Sequence, residues 1–279
     1  MPGKTEGLRC LCIIPTYNER ENLPRLVPDL LGRVSGLEVL VVDDGSPDGT
    51  ADVAGELAEA TGRVQVLRRA GKMGLGSAYV TGFEYALEHG YDYVIQMDAD
   101  LSHRPKDLPR LLETAREGAG VVIGSRYVPG GRVEDWSIVR RLVSKGGSFY
   151  ARNLLGLPIR DCTSGFKCFR REALESTDFT NLESNGYGFQ VEMNYLCHRA
   201  GLRIVEVPIV FPDRTAGRSK MSPGIFQEAA ILLWKLRYRK KPSDRGAAPA
   251  KARTSTPYTY AATEPGRPVR RLDRGRVNG

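Results

Sequence analysis

Five short apolar runs, LRCLCII, LEVLVV, RVQVL, YDYVIQM and GVVIGS, each give way to an amphipathic segment before the next begins. This alternation limits the possible folds more than any other feature of the chain. The amphipathic segments lie near Asn22 to Arg33, Asp52 to Thr61, Gly76 to His89 and Pro105 to Glu117. A helix between consecutive strands supplies the crossover that makes them parallel, and runs that are apolar at nearly every position need cover on both faces. The pattern predicts an α/β fold, a Rossmann-like, mostly parallel sheet flanked by helices. With 279 residues, 41% of them hydrophobic, the chain can bury such a core as a single domain.

In sheets of this kind ligands sit beyond the carboxyl ends of the strands. The chemically unusual residues fall there: CIIP is followed by TYNERENL, VLVV by DDGSPDGT, VIQM by DADLSH and VVIG by SRYVPGG. A long helix is expected from Val133 to Leu155. After it, DCTSGFKCFRREAL, NGYGFQVEMNYLCHRAG, a strand RIVEVPIVF and the stretch DRTAGRSKMSP form a region that completes one wall of the pocket. Ile225, Phe226, Ala229, Leu232, Leu233 and Leu236 recur at helical spacing and predict a last amphipathic helix over residues 223–241. The folded domain is expected to span residues 1–241. From Pro242 onward Pro, Ala, Thr, Gly and Arg dominate, and residues 242–279 read as a disordered basic tail.

The formal net charge of +8 is unevenly spread: residues 242–279 carry +5, Ile231 to Lys241 add five more positive charges, and everything before Ile231 sums to −2. Basicity confined to one end suits an anionic membrane surface and argues against a nucleic-acid groove. Trp234, Tyr238 and the closing KLRYRKK give the last helix the make-up of a membrane-surface helix, the plainer reading being a helix packed on the domain. Three histidines, and five cysteines without a C-x-x-C pair, argue against histidine metal cages, zinc modules and thiol redox chemistry. Cys10, Cys12, Cys162, Cys168 and Cys197 read as buried thiols in a reducing, cytosolic setting. The start, MPGKTEG, has no secretory apolar run, and no stretch approaches the roughly 20 apolar residues that cross a bilayer.

Asp98 and Asp100 follow a strand that cannot itself solvate charge, so they must be exposed, paired or metal-bound. One reading is a helix-capping turn with Ser102 and Pro105 opening the next helix. The functional reading is a hard divalent cation, Mg²⁺ or Mn²⁺, held by the two carboxylates against diphosphate oxygens. Asp43 and Asp44 precede a turn that feeds a helix, so one of them can accept a hydrogen bond from a ribose or a base edge, while Asp48 suits a helix cap. The glycine-rich AGKMGLGSAYVTG lacks the G-K-[ST] ending of a P-loop, yet Lys72, Gly74 and Gly76 can approach a nucleotide at a helix start. Arg126, Arg140 and, in the RTAGRSK stretch, Arg214, Arg218 and Lys220 supply cations expected on the same side and suggest phosphate capture.

Taken together and in this order, IPTYNERENL, VVDDGSPDGT, GKMGLGSAY, MDADLSHRP, IGSRYVPGG, CTSGFKCFR and RTAGRSK resemble family 2 glycosyltransferases of the GT-A fold. Within that family they are similar to the dolichol-phosphate or polyprenol-phosphate mannose synthases, over about Arg9 to Lys241. The resemblance implies that Pro15, Tyr17, Glu19, Asp43 and Asp44 hold the GDP moiety of GDP-mannose, with Lys72, Gly76, Ala99, Arg214 and Lys220 also on the nucleotide sugar. It implies that Asp98 and Asp100 bind Mg²⁺ or Mn²⁺ and, with Arg126, serve catalysis. Arg126, Arg140 and Ser144 match positions for the lipid phosphate, and the RTAGRSK loop would close over the diphosphate. The sequence departs from the pattern at Ser102, where some relatives carry a Gln metal contact, and at its end, where many carry transmembrane helices.

A phosphate monoester is already anionic near neutral pH, so a polyprenyl phosphate acceptor needs no general base of the kind that activates water in an inverting glycosidase. The remaining tasks are in-line positioning and stabilisation of the departing diphosphate. His103 is then expected as a hydrogen-bonding neighbour and not a proton carrier. A single displacement would invert the donor's anomeric centre. The expected activity is a polyprenyl-phosphate mannosyltransferase, peripheral at the cytoplasmic face of a membrane, with an integral membrane partner protein assisting. The alternatives are transfer of glucose from UDP-glucose, a polysaccharide acceptor, and a catalytically silent nucleotide-sugar binding scaffold.

Overall fold

All five apolar runs form strands: β1 (Cys10–Thr16), β2 (Leu37–Asp43), β3 (Val64–Arg68), β4 (Tyr93–Gln96) and β5 (Val121–Ser125). Between them lie α1 (Leu23–Arg33), α2 (Thr50–Thr61), α3 (Leu75–Glu88) and α4 (Leu108–Arg116). The chain is seen in a computed structural model that describes residues 8–182, 184, 186–212, 233–238 and 259–261. Side chains of β1 alternate between two cores: Cys10, Cys12 and Ile14 join the cluster with α1, α2 and α4, while Leu11 and Ile13 join the one with α3. Both faces of the sheet are thereby covered, as continuous apolar strands require.

The later part of the chain adds β6 (Arg132–Val133), α5 (Ile138–Leu155), β7 (Lys167–Arg170), α6 (Arg171–Glu175), α7 (Tyr187–Arg199), β8 (Ile204–Pro208) and β9 (Val210–Phe211). A short β10 (Thr259–Ala261) falls inside the stretch read as a tail and pairs antiparallel with β3. The main sheet runs β10-β3-β2-β1-β4-β7-β5-β8, and β6 pairs with β9 separately. Pairings β1–β2, β2–β3, β1–β4 and β5–β8 are parallel. β7 enters antiparallel between β4 and β5.

Three local expectations are adjusted. The helix expected from Val133 begins at Ile138, because Val133 pairs with Phe211 and the Ser137 hydroxyl caps the helix by accepting from the Arg140 N–H at 3.3 Å. RIVEVPIVF splits around Ile209, whose N–H donates to the Ser125 carbonyl at 2.9 Å. The strand within GFKCFR was hidden by Lys167: Phe166 and Cys168 face one core and Phe169 the other, but a lysine interrupts the apolar pattern. Within the last expected helix, residues 233–238 are helical. Leu233 and Leu236 are buried there, while Trp234 and Tyr238 are exposed with stacked rings 5.8 Å apart. The rest of that helix lies outside the described residues, as do Arg214, Arg218 and Lys220 of the RTAGRSK loop.

All five cysteines are buried and free, and burial pushes the Cys10 and Cys197 thiols up to about 11, so they stay protonated and unreactive near neutral pH. No helix among the described residues is long and apolar enough to cross a membrane.

Candidate active site

The parallel strands bring the loops after β1, β2, β4 and β5 to one edge, as the alternation predicts. Pro15 is buried near the end of β1, and beyond it Tyr17 is half-buried with the Lys72 ammonium 4.2 Å from its ring centre. This cation–π contact joins the β1 loop to the glycine-rich loop before α3. Glu19 accepts from Asn22 Nδ2 at 2.6 Å, and its own N–H donates to the Thr50 hydroxyl at 2.9 Å. The N-cap of α2 is Gly49, and Asp48, one residue before it, accepts from the Thr50 N–H at 3.0 Å; its hydrogen bonds lower its carboxyl below the usual range even against partial burial.

The acidic pair after β2 is turned inward. Asp43 accepts from the hydroxyls of Thr16 at 2.9 Å and Ser46 at 2.5 Å, and from the Ser46 N–H at 2.9 Å. Asp44 accepts from the N–H groups of Met73 and Gly74, both at 3.1 Å, and pairs with Arg69 at 3.1 Å, both side chains being buried. Asp44 thus anchors the two residues that lead into α3, which starts at Leu75. Gly76 serves a packing role: a Cβ there would meet the Ser184 carbonyl at 2.9 Å and the Phe189 ring at 3.0 Å.

The pair after β4 is different. Asp98 keeps 27% of its side chain exposed, and Asp100 is also only partly buried. Each has one carboxylate oxygen fixed from within the chain. Asp98 Oδ1 accepts from the Tyr79 hydroxyl at 2.8 Å, and Asp100 Oδ1 accepts from the Ser102 N–H at 3.1 Å and from the Ser102 hydroxyl. Ala99, between them, is buried, and Leu101 at φ +62° turns the loop so that Ser102 can reach back. His103 is buried with Nδ1 accepting from the Asp98 N–H at 3.3 Å, the hydrogen-bonding neighbour the sequence suggested. Tyr79 and Gly165, the latter close enough that a Cβ would lie 2.8 Å from Asp98 Oδ2, were missed by sequence reasoning. An aromatic at helical spacing and a glycine in a loop carry no signal of their own until the fold sets them beside a carboxylate.

The two half-buried carboxylates form a hard oxygen donor set, and the nearby ring nitrogen, His103 Nδ1, 3.9 Å from Asp98 Oδ2, is occupied by the Asp98 N–H. Among the described residues no group of three or more His, Cys, Asp or Glu side chains gathers to hold a metal. That arrangement fits Mg²⁺ or Mn²⁺, which keep several waters and complete their shells with substrate phosphate oxygens.

On the other side of the edge, Arg126 is buried and forks onto Asp161, with Nε to Oδ2 at 2.7 Å and Nη2 to Oδ1 at 2.6 Å, and Nη2 also donates to the Thr163 hydroxyl at 2.8 Å. Phosphate capture was expected of this residue, but here its charge is balanced by Asp161 and it ties the loop after β5 to the segment before β7. Arg140 lies 4.0 Å from the Trp136 ring centre, and Ser144 accepts from the Tyr127 hydroxyl at 2.6 Å. Both are on α5, which carries four cations and no acid. The same helix exposes Ile138, Val139, Leu142 and Phe149 at 66–75%.

Residues 11–177 match the family described as Glycosyl transferase family 2. The chain belongs to glycosyltransferase family 2. Among curated relatives of this glycosyltransferase, the undecaprenyl-phosphate mannosyltransferase of Micrococcus luteus is 51% identical over 224 residues, covering 80% of this chain and 92% of that protein. The polyprenol monophosphomannose synthase of Mycolicibacterium smegmatis is 47% identical over 234 residues, 83% of this chain and 88% of that one. The dolichol-phosphate mannosyltransferase of Pyrococcus furiosus is 42% identical over 215 residues, 75% of this chain and 58% of that protein. In fold, this glycosyltransferase is similar to glucosyl-3-phosphoglycerate synthase from Mycobacterium tuberculosis, solved with Mn²⁺, UDP and phosphoglyceric acid. The TM-score is 0.61 at 21% identity, covering 84% of this chain and 80% of that one.

Proposed function

We propose that this family 2 glycosyltransferase moves mannose from GDP-mannose to a polyprenyl monophosphate at the cytoplasmic face of a membrane, inverting the anomeric centre. The observation that carries the reading is the half-buried Asp98–Asp100 pair at the carboxyl edge of the sheet, in a chain whose relatives at 47–51% identity are named for mannose transfer to lipid phosphates. Asp98 and Asp100 would hold Mg²⁺ or Mn²⁺, as the Mn²⁺- and UDP-bound structural neighbour supports for a divalent ion. When bound, such an ion supplies positive charge to the diphosphate oxygens of the leaving group.

The chain's own residues do the rest. Tyr17 and Lys72, joined by their cation–π contact, offer an aromatic face and a positive charge to the nucleotide. Because the acceptor phosphate is already an anion, the site needs orientation more than proton transfer. Arg140 and Ser144 on α5 are the groups that would orient it. Exposed apolar residues on that helix, beside four cations and no acid, favour an acceptor delivered from a lipid surface. Exposed Trp234 and Tyr238 add a second apolar contact. With no membrane-crossing helix among the described residues, an integral membrane partner would strengthen that attachment.

The test is transfer of labelled sugar from GDP-mannose and, in parallel, UDP-glucose to a short polyprenyl phosphate with Mg²⁺ or Mn²⁺. Lipid-linked mannose from GDP-mannose alone is the expected result. Transfer only from UDP-glucose would replace the donor and leave the acceptor chemistry standing.

A further inference from the structure

Asp98 is registered from three directions. Its backbone N–H donates to His103 Nδ1 at 3.3 Å, on the loop that follows β4. Gly165, just before β7, approaches so closely that any added Cβ would lie 2.8 Å from Oδ2. From α3, the Tyr79 hydroxyl donates to Oδ1 at 2.8 Å. The first two define where the residue sits. His103 Nδ1 also lies 3.9 Å from Oδ2, beyond hydrogen-bond distance, so among the described residues the Tyr79 hydroxyl makes the one hydrogen bond to the carboxylate itself and holds its turn about the last side-chain bond.

Tyr79 is unusually well placed for this. Its side chain is fully buried, its ring stacks on Phe189 at 5.7 Å and 8° and on Phe83 at 6.3 Å and 23°, and Phe83 is met edge-on by Phe169 and Phe179. One turn along α3, a Cβ at Gly82 would meet Ile13 at 2.5 Å, so the helix lies directly on β1. An aromatic stack on a tightly seated helix thus holds one hydroxyl against one carboxylate. Packing alone would be met by phenylalanine, and the hydroxyl's only described partner is Asp98.

We propose that Tyr79 is a positioning residue that presets the Asp98 carboxylate, with Oδ1 held and Oδ2 directed toward the divalent cation. The proposal rests on the metal reading above. It is the arrangement by which outer groups orient a ligating carboxylate, and losing such a partner typically costs 10–100-fold in metal affinity.

The test is Mn²⁺ binding to the whole protein with GDP present, and with UDP in parallel, followed by electron paramagnetic resonance of the free ion. Parent, Tyr79→Phe and Phe179→Leu are compared. Tyr79→Phe keeps the ring stack and removes only the hydroxyl, so the half-saturating Mn²⁺ concentration rises about tenfold. Transfer at saturating Mn²⁺ returns to within a few-fold of the parent, and the melting temperature moves by only a few degrees. Phe179→Leu disturbs the same aromatic cluster away from Asp98 and lowers the melting temperature without shifting the Mn²⁺ isotherm. An unchanged isotherm in Tyr79→Phe, or an equal shift in Phe179→Leu, overturns the proposal and leaves the metal reading intact. If the parent binds no Mn²⁺ with either nucleotide, the metal reading itself fails and this one with it.

Discussion

Two acidic pairs stand at the same edge of one sheet and have opposite fates. Asp43 and Asp44 are buried and accept hydrogen bonds from Thr16, Ser46, Met73 and Gly74, with Arg69 balancing the charge. Asp98 and Asp100 stay partly exposed, and each is held through one oxygen by a chain donor. The difference follows from what comes next in the chain. After β2 the turn folds back under the start of α3 and draws its carboxylates into the interior. After β4 the left-handed Leu101 turns the loop so that Ser102 and His103 are buried while Asp98 and Asp100 keep part of their surface exposed. A pair of acids at a strand end can therefore be drawn inward or left partly exposed, and the neighbouring donors decide which.

The comparison breaks most sharply at Asp44. Replacing it with alanine leaves the buried Arg69 guanidinium without its carboxylate and the N–H groups of Met73 and Gly74 without an acceptor. Breaking a buried ion pair by removing one partner costs about 3–5 kcal/mol. Urea denaturation should show a loss of that size. A loss below about 1 kcal/mol, the scale of an exposed pair, would mean that the pair is not scaffold.

Asp100→Ala should do the reverse. The expected outcome is a fall in sugar transfer of roughly 10²–10³-fold, the scale seen when a group that stabilises developing charge is removed. The urea midpoint should remain close to the parent's. If Asp100→Ala unfolds the protein while transfer per folded molecule is kept, the two pairs have exchanged roles.

Much of this frame was legible in the sequence. The alternation of apolar runs and amphipathic segments announced the sheet, its parallel pairings and the shared loop edge, because a period of two and a period of 3.6 are both written locally. For Asp98 and Asp100 the apolar strand before them left three outcomes open, exposed, paired or metal-bound, and the structure shows them partly exposed. The inward turn of Asp44 was not readable, because Arg69 lies 25 residues away and the pairing depends on β2 and β3 lying side by side. For the same reason Arg126, one of several cations in the loops, could not be told from a phosphate ligand until Asp161 was seen across from it. Strand β7 was hidden by Lys167, whose ammonium finds its oxygens on α7.

A weaker effect should separate the acceptor side from both carboxylate pairs. Leu142 and Phe149 on α5 are 66% and 68% exposed, so changing them touches neither core. Burying one such side chain in an apolar environment contributes roughly 1.5–3 kcal/mol. Leu142→Glu with Phe149→Glu should therefore lower binding to vesicles containing phosphatidylglycerol by at least tenfold, while transfer to a short, water-soluble acceptor changes little. Equal vesicle binding by the parent and the double variant would remove α5 from the membrane contact.

A pH-dependent effect concerns the buried charge beneath the Asp98 loop. Lys167 is fully buried, and its ammonium donates to the Gln190 carbonyl at 3.2 Å and to Gln190 Oε1 at 2.8 Å, where Gln96 also donates. Desolvation lowers its pKa to about 7, against a smaller upward pull from Cys197, Asp161, Cys162 and Asp98. The unfolded chain keeps this proton up to about pH 10.4, the ordinary lysine value. Between about pH 7 and that value the unfolded state thus binds more protons, and stability rises with pH. Below pH 7 both states are protonated and the fold bears the full cost of the buried charge. Lys167→Met removes this dependence. The stability difference between parent and variant should shift in the parent's favour from pH 7 to pH 9, by up to about 1.4 kcal/mol per pH unit. Urea midpoints across that range read it directly, and a difference constant with pH would mean that Lys167 does not titrate in this window.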